Sequence, residues 1–242
     1  MNVENRIYLT FDMDWACDEV MVFLYDLLDK HDICATVNIT NSFSNIERFK
    51  NDEKIELGIH PNFNFIINGN GDGNNKETII RQCKKVVPEA IIARSHSLLN
   101  STSITTALYD YGIRYEMNYF IAPYEGICVY PWLRQGVLQI PFFYEDDLYL
   151  LENYDYTPQF YLSKNIKMCK VFNFHPIHLF SNSESLNRYQ GIKDDYHNYD
   201  ILKKNINTQR YGTLDFFEDL IFIAQKKGYS FEPITKILET DN

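Results

Sequence analysis

Two acids, Asp12 and Asp14, stand one residue apart directly after the apolar run Ile7–Phe11. On extended backbone, residues two apart project to the same side, so both carboxylates can reach one point. Four further stretches place chemistry-bearing residues in the same way: His60 closes Ile55–Ile59, Arg94 and His96 follow Ala90–Ala93, Asp146 follows Val137–Tyr144, and His175 follows Lys170–Phe174. Carboxylates with imidazoles make a divalent-metal ligand set. A carboxylate base with a protonatable imidazole makes an acid–base pair. Helix capping is the competing explanation for the acids, since Asp14 or Asp18 could open a helix at 18–30. Asp18 is read as the cap. Capping needs only one acid, so the pair Asp12/Asp14 is read as chemistry. A single histidine after a strand can be purely structural; five strand ends bearing Asp, His or Arg point to a site.

The elements that must position these residues follow from periodicity. Ile7, Leu9 and Phe11 alternate with Tyr8 and Thr10, which is a strand pattern rich in β-branched and aromatic residues. Val20, Phe23, Leu24, Leu27 and Leu28 have helical spacing. Further strands are predicted over 33–39, 55–60, 90–93, 114–120, 126–130, 137–144 and 170–174. Helices are predicted over 43–49, 76–87, 101–111 and 213–227, and residues 182–198 read as polar loop. This alternation predicts an α/β protein with a mainly parallel sheet and right-handed crossovers. The expected architecture is a distorted (β/α) barrel of about seven strands, with residues 1–242 forming one domain. In such folds the C-terminal strand ends share one face, where active sites lie.

Composition narrows the function. With 33 acids against 23 bases the net charge is −10, and no basic stripe suits a nucleic-acid backbone. No run reaches the ~18 apolar residues of a membrane span, and the first residues lack the apolar core of a signal peptide. Five cysteines without a CxxC read as reduced thiols, so a cytoplasmic protein is expected. The Gly- and Asn-rich segment 68–75 superficially suggests a calcium loop, but the twelfth position is Ile79 instead of a bidentate Glu. It is read as a loop or lid beside the third strand.

Thr10-Phe11-Asp12-Met13-Asp14 resembles the first motif of the NodB-type polysaccharide deacetylases. Leu57-Gly58-Ile59-His60 is similar to the second, Arg94 to the third-motif arginine, Asp146 to the fourth-motif acid, and Phe174-His175-Pro176 to the Leu-x-His motif. His60-Pro61-Asn62-Phe63-Asn64 and Arg94-Ser95-His96-Ser97 look like the WbmS-like branch, which is associated with bacterial surface-polysaccharide gene clusters. The resemblance implies a metal-dependent deacetylase acting on an N-acetylated sugar. Asp12 would be the general base, Asp14 and His60 metal ligands, Arg94 the partner of Asp12, and His175 the acid oriented by Asp146. The second motif normally carries a further histidine at the position of Asn64. His96 is the expected replacement ligand; a hydrogen bond from His96 to Asp12 or Asp14 is the alternative.

Zinc is the first expectation for the metal. Asn64, His178, Trp132 and Tyr144 are candidate substrate contacts, with Tyr119 and Tyr124 as further stacking candidates; core packing competes for each aromatic, and His178 could be a loop residue. A cyclic-amide or imide hydrolase on the same fold, or an inactive carbohydrate-binding relative, are the competing functions. Asn64 favours the latter.

Overall fold

The computed structural model describes residues 5–67, 75–124, 126–152, 156–163 and 166–239. The chain runs β1 (Arg6–Asp12), α1 (Asp18–His31), β2 (Ala35–Ile39), α2 (Ile46–Lys50), β3 (Ile55–Ile59), α3 (Asn64–Ile67), α4 (Lys76–Val86), β4 (Ile92–Ala93), α5 (Thr102–Asp110) and β5 (Tyr115–Phe120). It continues with β6 (Trp132–Arg134), β7 (Val137–Phe142), β8 (Tyr144–Glu145), α6 (Asp146–Glu152), α7 (Pro158–Tyr161) and β9 (Lys170–Phe174). The last elements are α8 (Pro176–Ser181), α9 (Leu186–Ile192), α10 (Tyr199–Lys204), α11 (Thr213–Lys226) and β10 (Ser230–Phe231).

The strands form one sheet in the order β6-β7-β5-β4-β3-β2-β1-β9-β8, with β10 added to β1. Every pairing is parallel except the β6–β7 hairpin. The two ends of this order meet on one length of chain. Val137–Phe142 pairs with β5, the Phe143 amide donates to the Val171 carbonyl at 3.5 Å, and Tyr144–Glu145 pairs with β9. The hydrogen-bond ladder is not closed, but the kinked β7–β8 segment curls the parallel strands into a distorted barrel of seven: β1 to β5, β7–β8 and β9.

Strand alternation divides the side chains between two cores. Ile7, Leu9 and Phe11 pack outward with Met21 and Leu24 of α1 and Phe217 and Leu220 of α11. Tyr8 instead joins Ile92, Met117, Leu138, Ile140 and Val171, all from strands, sealed by Ile234 and Ile237. This second cluster fills one end of the interior. Past Tyr8 on the same face come Thr10 and Asp12, so one strand passes from an apolar to a polar layer.

Three expectations needed correction. Residues 126–130 form no strand; Pro131 ends that segment, and the edge strand is Trp132–Arg134. Its hairpin turns on Gln135 and Gly136, both with positive φ, as two-residue hairpins prefer. Residues 182–198 contain helix α9, signalled by the N-cap Ser185, which accepts from the Arg188 amide, and by Leu186, Tyr189 and Ile192 at three-residue spacing. Cys17, not Asp18, occupies the N-cap of α1; the Asp18 carboxylate binds Ser44. Of the 68–75 loop, only Asn75 lies within the described residues, and it caps α4 by accepting from the Thr78 amide.

Candidate active site

Backbone hydrogen bonds set the strand ends at one level. The Met13 amide donates to the Asn38 carbonyl, His60 to Ile39, Arg94 to Ile59 and His96 to Pro61, all at 2.9–3.1 Å. Each residue is thus registered against the neighbouring strand or the residues just past its end, which brings together groups far apart in the sequence.

Asp12 lies in a hydrogen-bonded cradle and is 1% exposed. Asn38 Nδ2 donates to one carboxylate oxygen at 2.8 Å and Asn173 Nδ2 to the other at 2.9 Å. Arg94 Nη1 reaches Asp12 at 3.2 Å, Thr10 Oγ1 at 2.9 Å and the Asn173 amide oxygen, while Arg94 Nε donates to the Met117 carbonyl at 2.8 Å. The guanidinium also lies over the Phe142 ring, 4.6 Å from its centroid. Burial pushes the Asp12 carboxyl up, but Arg94, His60, His175 and the Asn38 amide together hold it below its ordinary value. Gly58 makes this cradle possible: a Cβ there would stand 2.3 Å from Asn38 Oδ1.

Asp14 has a different environment. Its Oδ2 faces His60 Nε2 at 2.9 Å and His96 Nδ1 at 2.6 Å, with the two rings nearly perpendicular. Burial raises this carboxyl, and the two imidazoles outweigh that and bring it far down. One carboxylate oxygen and two imidazole nitrogens within 4.8 Å of one another are a donor set that suits a divalent cation. They open onto a cleft of about 720 Å³, also lined by Trp15, Asp18, Glu19, Asn62, Phe65 and His197.

Across Trp15 lies the second imidazole cluster. His175 follows β9 as the N-cap of α8, and Pro176 at the first position of α8 turns the chain into a helix. The Asp146 carboxylate accepts from both the His175 amide and His175 Nδ1, each at 2.7 Å. Burial disfavours the charged imidazole, but Asp147, Asp146 and Asp12 raise the His175 pKa well above its ordinary value.

A family model for WbmS-like polysaccharide deacetylases matches residues 9–193, most of the chain. The chain belongs to this family. Among solved structures, a Bordetella bronchiseptica protein, WbmS, described as a candidate polysaccharide deacetylase involved in O-antigen biosynthesis, is 32% identical, with 91% of each chain covered and a TM-score of 0.84. The Bc1960 peptidoglycan N-acetylglucosamine deacetylase (13% identity, 98% of this chain and 89% of that one, TM-score 0.51) shares the fold. So does a Streptococcus mutans CE4 esterase (15%, 96% and 87%, TM-score 0.51). No match to a curated protein was found by sequence comparison.

Within this WbmS-like chain the sequence-expected residues separate. Asp12, Asp14, His60, Arg94, His96, Asp146 and His175 converge. Asn64 does not reach Asp14; its amide donates to Ser97 Oγ at 3.1 Å. Tyr144 is no substrate contact. It is 1% exposed and stacks on Phe216 among Phe172, Phe174 and Tyr161, because the kink at Phe143 turns its ring into the outer core. Trp132 packs on Tyr119 in the edge hairpin, centroids 4.9 Å apart, and is not among the described residues lining the cleft. Tyr124 is exposed. His178 is fully buried with both ring nitrogens engaged by protein, so it cannot contact a substrate directly.

Sequence reasoning missed Asn38, Asn173, Glu145, Asp147 and Trp15. The first two were readable as polar residues at alternate positions inside buried strands, where an unpaired amide would be costly. Trp15 carried only its place after the acid pair; with positive φ, it sets its ring between His96 and His175.

Proposed function

We propose that this chain is a metal-dependent hydrolase that removes the N-acetyl group from a sugar during bacterial surface-polysaccharide biosynthesis, with residues 1–242 as one catalytic domain working in the cytoplasm. One observation carries the reading: two acids a single residue apart have unlike environments. Asp12 is held ionised by Arg94, Asn38 and Asn173, whereas Asp14 faces two imidazole nitrogens.

Asp14, His60 and His96 would hold the cation, with zinc the first choice for a two-imidazole, one-carboxylate set. When bound, the cation supplies Lewis acidity for the acyl carbonyl and the attacking water. Asp12 accepts the proton of that water, and its three donors keep it in place. Arg94 keeps Asp12 charged without competing for the cation. His175, fixed through Nδ1 by Asp146, offers its Nε2 proton to the leaving nitrogen, since an amine departs poorly unless protonated. Among the described residues no helix is long and apolar enough to cross a membrane.

The test is release of acetate and free amine from N-acetylated amino sugars by purified protein, with zinc removed and restored. Activity that disappears with chelation and returns with metal supports the reading. No release from any N-acetyl sugar by the metal-restored protein overturns it.

A further inference from the structure

Asp147 and His178 play no part in the mechanism above, yet they are held as closely as the residues that do. His178 lies on α8 three residues after His175, which caps that helix, and the two ring centroids are 5.9 Å apart. Ser181 Oγ donates to the Ile177 carbonyl at 2.7 Å, and Ser183 Oγ lies 2.8 Å from Ser181 Oγ and 3.0 Å from His178 Nδ1. Ser181 has spent its one hydroxyl hydrogen, so Ser183 must donate to it, and Ser183 Oγ must accept from His178 Nδ1. The other nitrogen, Nε2, lies 2.5 Å from Asp147 Oδ1. A fully buried histidine with both nitrogens engaged in this way fixes the Asp147 carboxylate.

That carboxylate points at the catalytic proton. Asp147 Oδ2 lies 3.7 Å from His175 Nε2, beyond hydrogen-bond length but within strong electrostatic reach. Asp146 takes the opposite nitrogen, Nδ1. The imidazole is therefore flanked by two carboxylates, one bonded and one not. Burial raises the Asp147 carboxyl, and His175 and His178 overcome this, so it stays ionised.

We propose that Asp147, anchored by His178, keeps the proton on His175 Nε2 by charge without bonding it, and stabilises the cationic nitrogen that receives it. This makes Asp147 a positioning residue selecting N-acyl over O-acyl substrates. The inference rests on the reading of His175 as the acid. In the tetrahedral adduct the nitrogen takes the Nε2 proton and becomes cationic beside Asp147. The C–N electron pair then stays on nitrogen, which leaves as the neutral amine, and the acyl carbon departs as carboxylate. An ester oxygen leaves without a comparable cationic stage, so the same carboxylate gives it less.

Several groups bear on the titration of His175. Asp146 and Asp147 come from α6, Asp12 from β1, Glu145 from β8, His60 from the end of β3 and His178 from α8. Asp147 Oδ2 stands 3.7 Å from Nε2, and Asp147 serves no other residue of the mechanism.

The experiment compares wild type, Asp147→Asn and Asp147→Glu. NMR titration of the His175 ring needs no substrate. Asp147→Asn should move it about one pH unit lower or more, as loss of an opposite charge at this range does, and Asp147→Glu should restore most of the difference. On a matched pair of N-acetyl and O-acetyl sugars, kcat for the amide should fall about tenfold further than kcat for the ester. Should Asp147→Asn fail to fold, Asp147→Ser takes its place. An unchanged His175 titration, or equal losses on both substrates, overturns the proposal. Inactivity of the wild type on all N-acyl sugars would instead defeat the functional reading, and the titration would still decide whether Asp147 holds the proton.

Discussion

The two imidazole clusters of this molecule are built from the same residue types in different arrangements. On one side of Trp15, His60 and His96 both meet Asp14 Oδ2, and the other nitrogen of His60 lies 3.5 Å from Asp12 Oδ1; on the other side, His175 stands between the carboxylates of Asp146 and Asp147. Two imidazole nitrogens meeting one carboxylate oxygen make a donor set that suits a cation. Asp146 and Asp147 flank the two nitrogens of His175 and favour its protonated form. Residue type alone does not decide what a histidine does. His60 and His175 each have two carboxylates close by, and what else those carboxylates bind decides it: Asp12 is taken up by Arg94, Asn38 and Asn173, whereas Asp147 Oδ2 faces His175.

The largest effect should come from separating the neighbours Asp12 and Asp14. Asp12→Asn should lower kcat by about 10²- to 10⁴-fold, the usual contribution of a general base, while bound metal stays at the wild-type level. Asp14→Asn should lose metal together with activity. Metal analysis alongside kcat for both variants checks this, and equal metal loss would mean that the two acids chelate together. The basic limb of the pH–rate profile should survive in Asp12→Asn, because it reports deprotonation of His175.

A smaller effect concerns which side chain completes the cation cluster. His96→Ala should weaken metal binding by more than the about 10- to 100-fold that loss of an outer-shell partner costs. Asn64→Ala, which removes only the contact to Ser97, should leave it nearly unchanged. A competition titration with a coloured chelator measures both. Metal loss confined to Asn64→Ala would reverse the assignment.

The smallest effect lies between the clusters. Glu145 is 8% exposed, accepts a 3.3 Å bond from Asn173, and is pushed by burial from 4.5 up to about 7. Between those values the folded chain keeps a proton that the unfolded chain has lost, so stability falls as pH rises through that window. At about 1.4 kcal/mol per pH unit the deficit above pH 7 is at most about 3.5 kcal/mol. Glu145→Gln removes the ionisation and can still accept from Asn173. It should raise the urea midpoint at pH 8 and leave it unchanged at pH 4. A variant equally stable, or less stable, at pH 8 would show that Glu145 stays ionised at no cost.

The sequence by itself determined the strand–helix alternation, the parallel sheet and the set of strand ends bearing acids, histidines and Arg94. Local periodicity and the positions of apolar runs record which face of each element is buried, and a parallel fold gathers strand ends by topology. It could not decide that Asn64 turns to Ser97 while His96 turns to Asp14, because that depends on distances between β1 and the loops after β3 and β4. Nor could it show that Tyr144 enters the outer core, since the kink at Phe143 follows from β7 leaving β5 and its continuation joining β9. The pairing of His178 with Asp147 was hidden for the same reason. The two lie on different helices, far apart along the chain, and a buried histidine acquires its role only from the groups that packing brings to its two nitrogens.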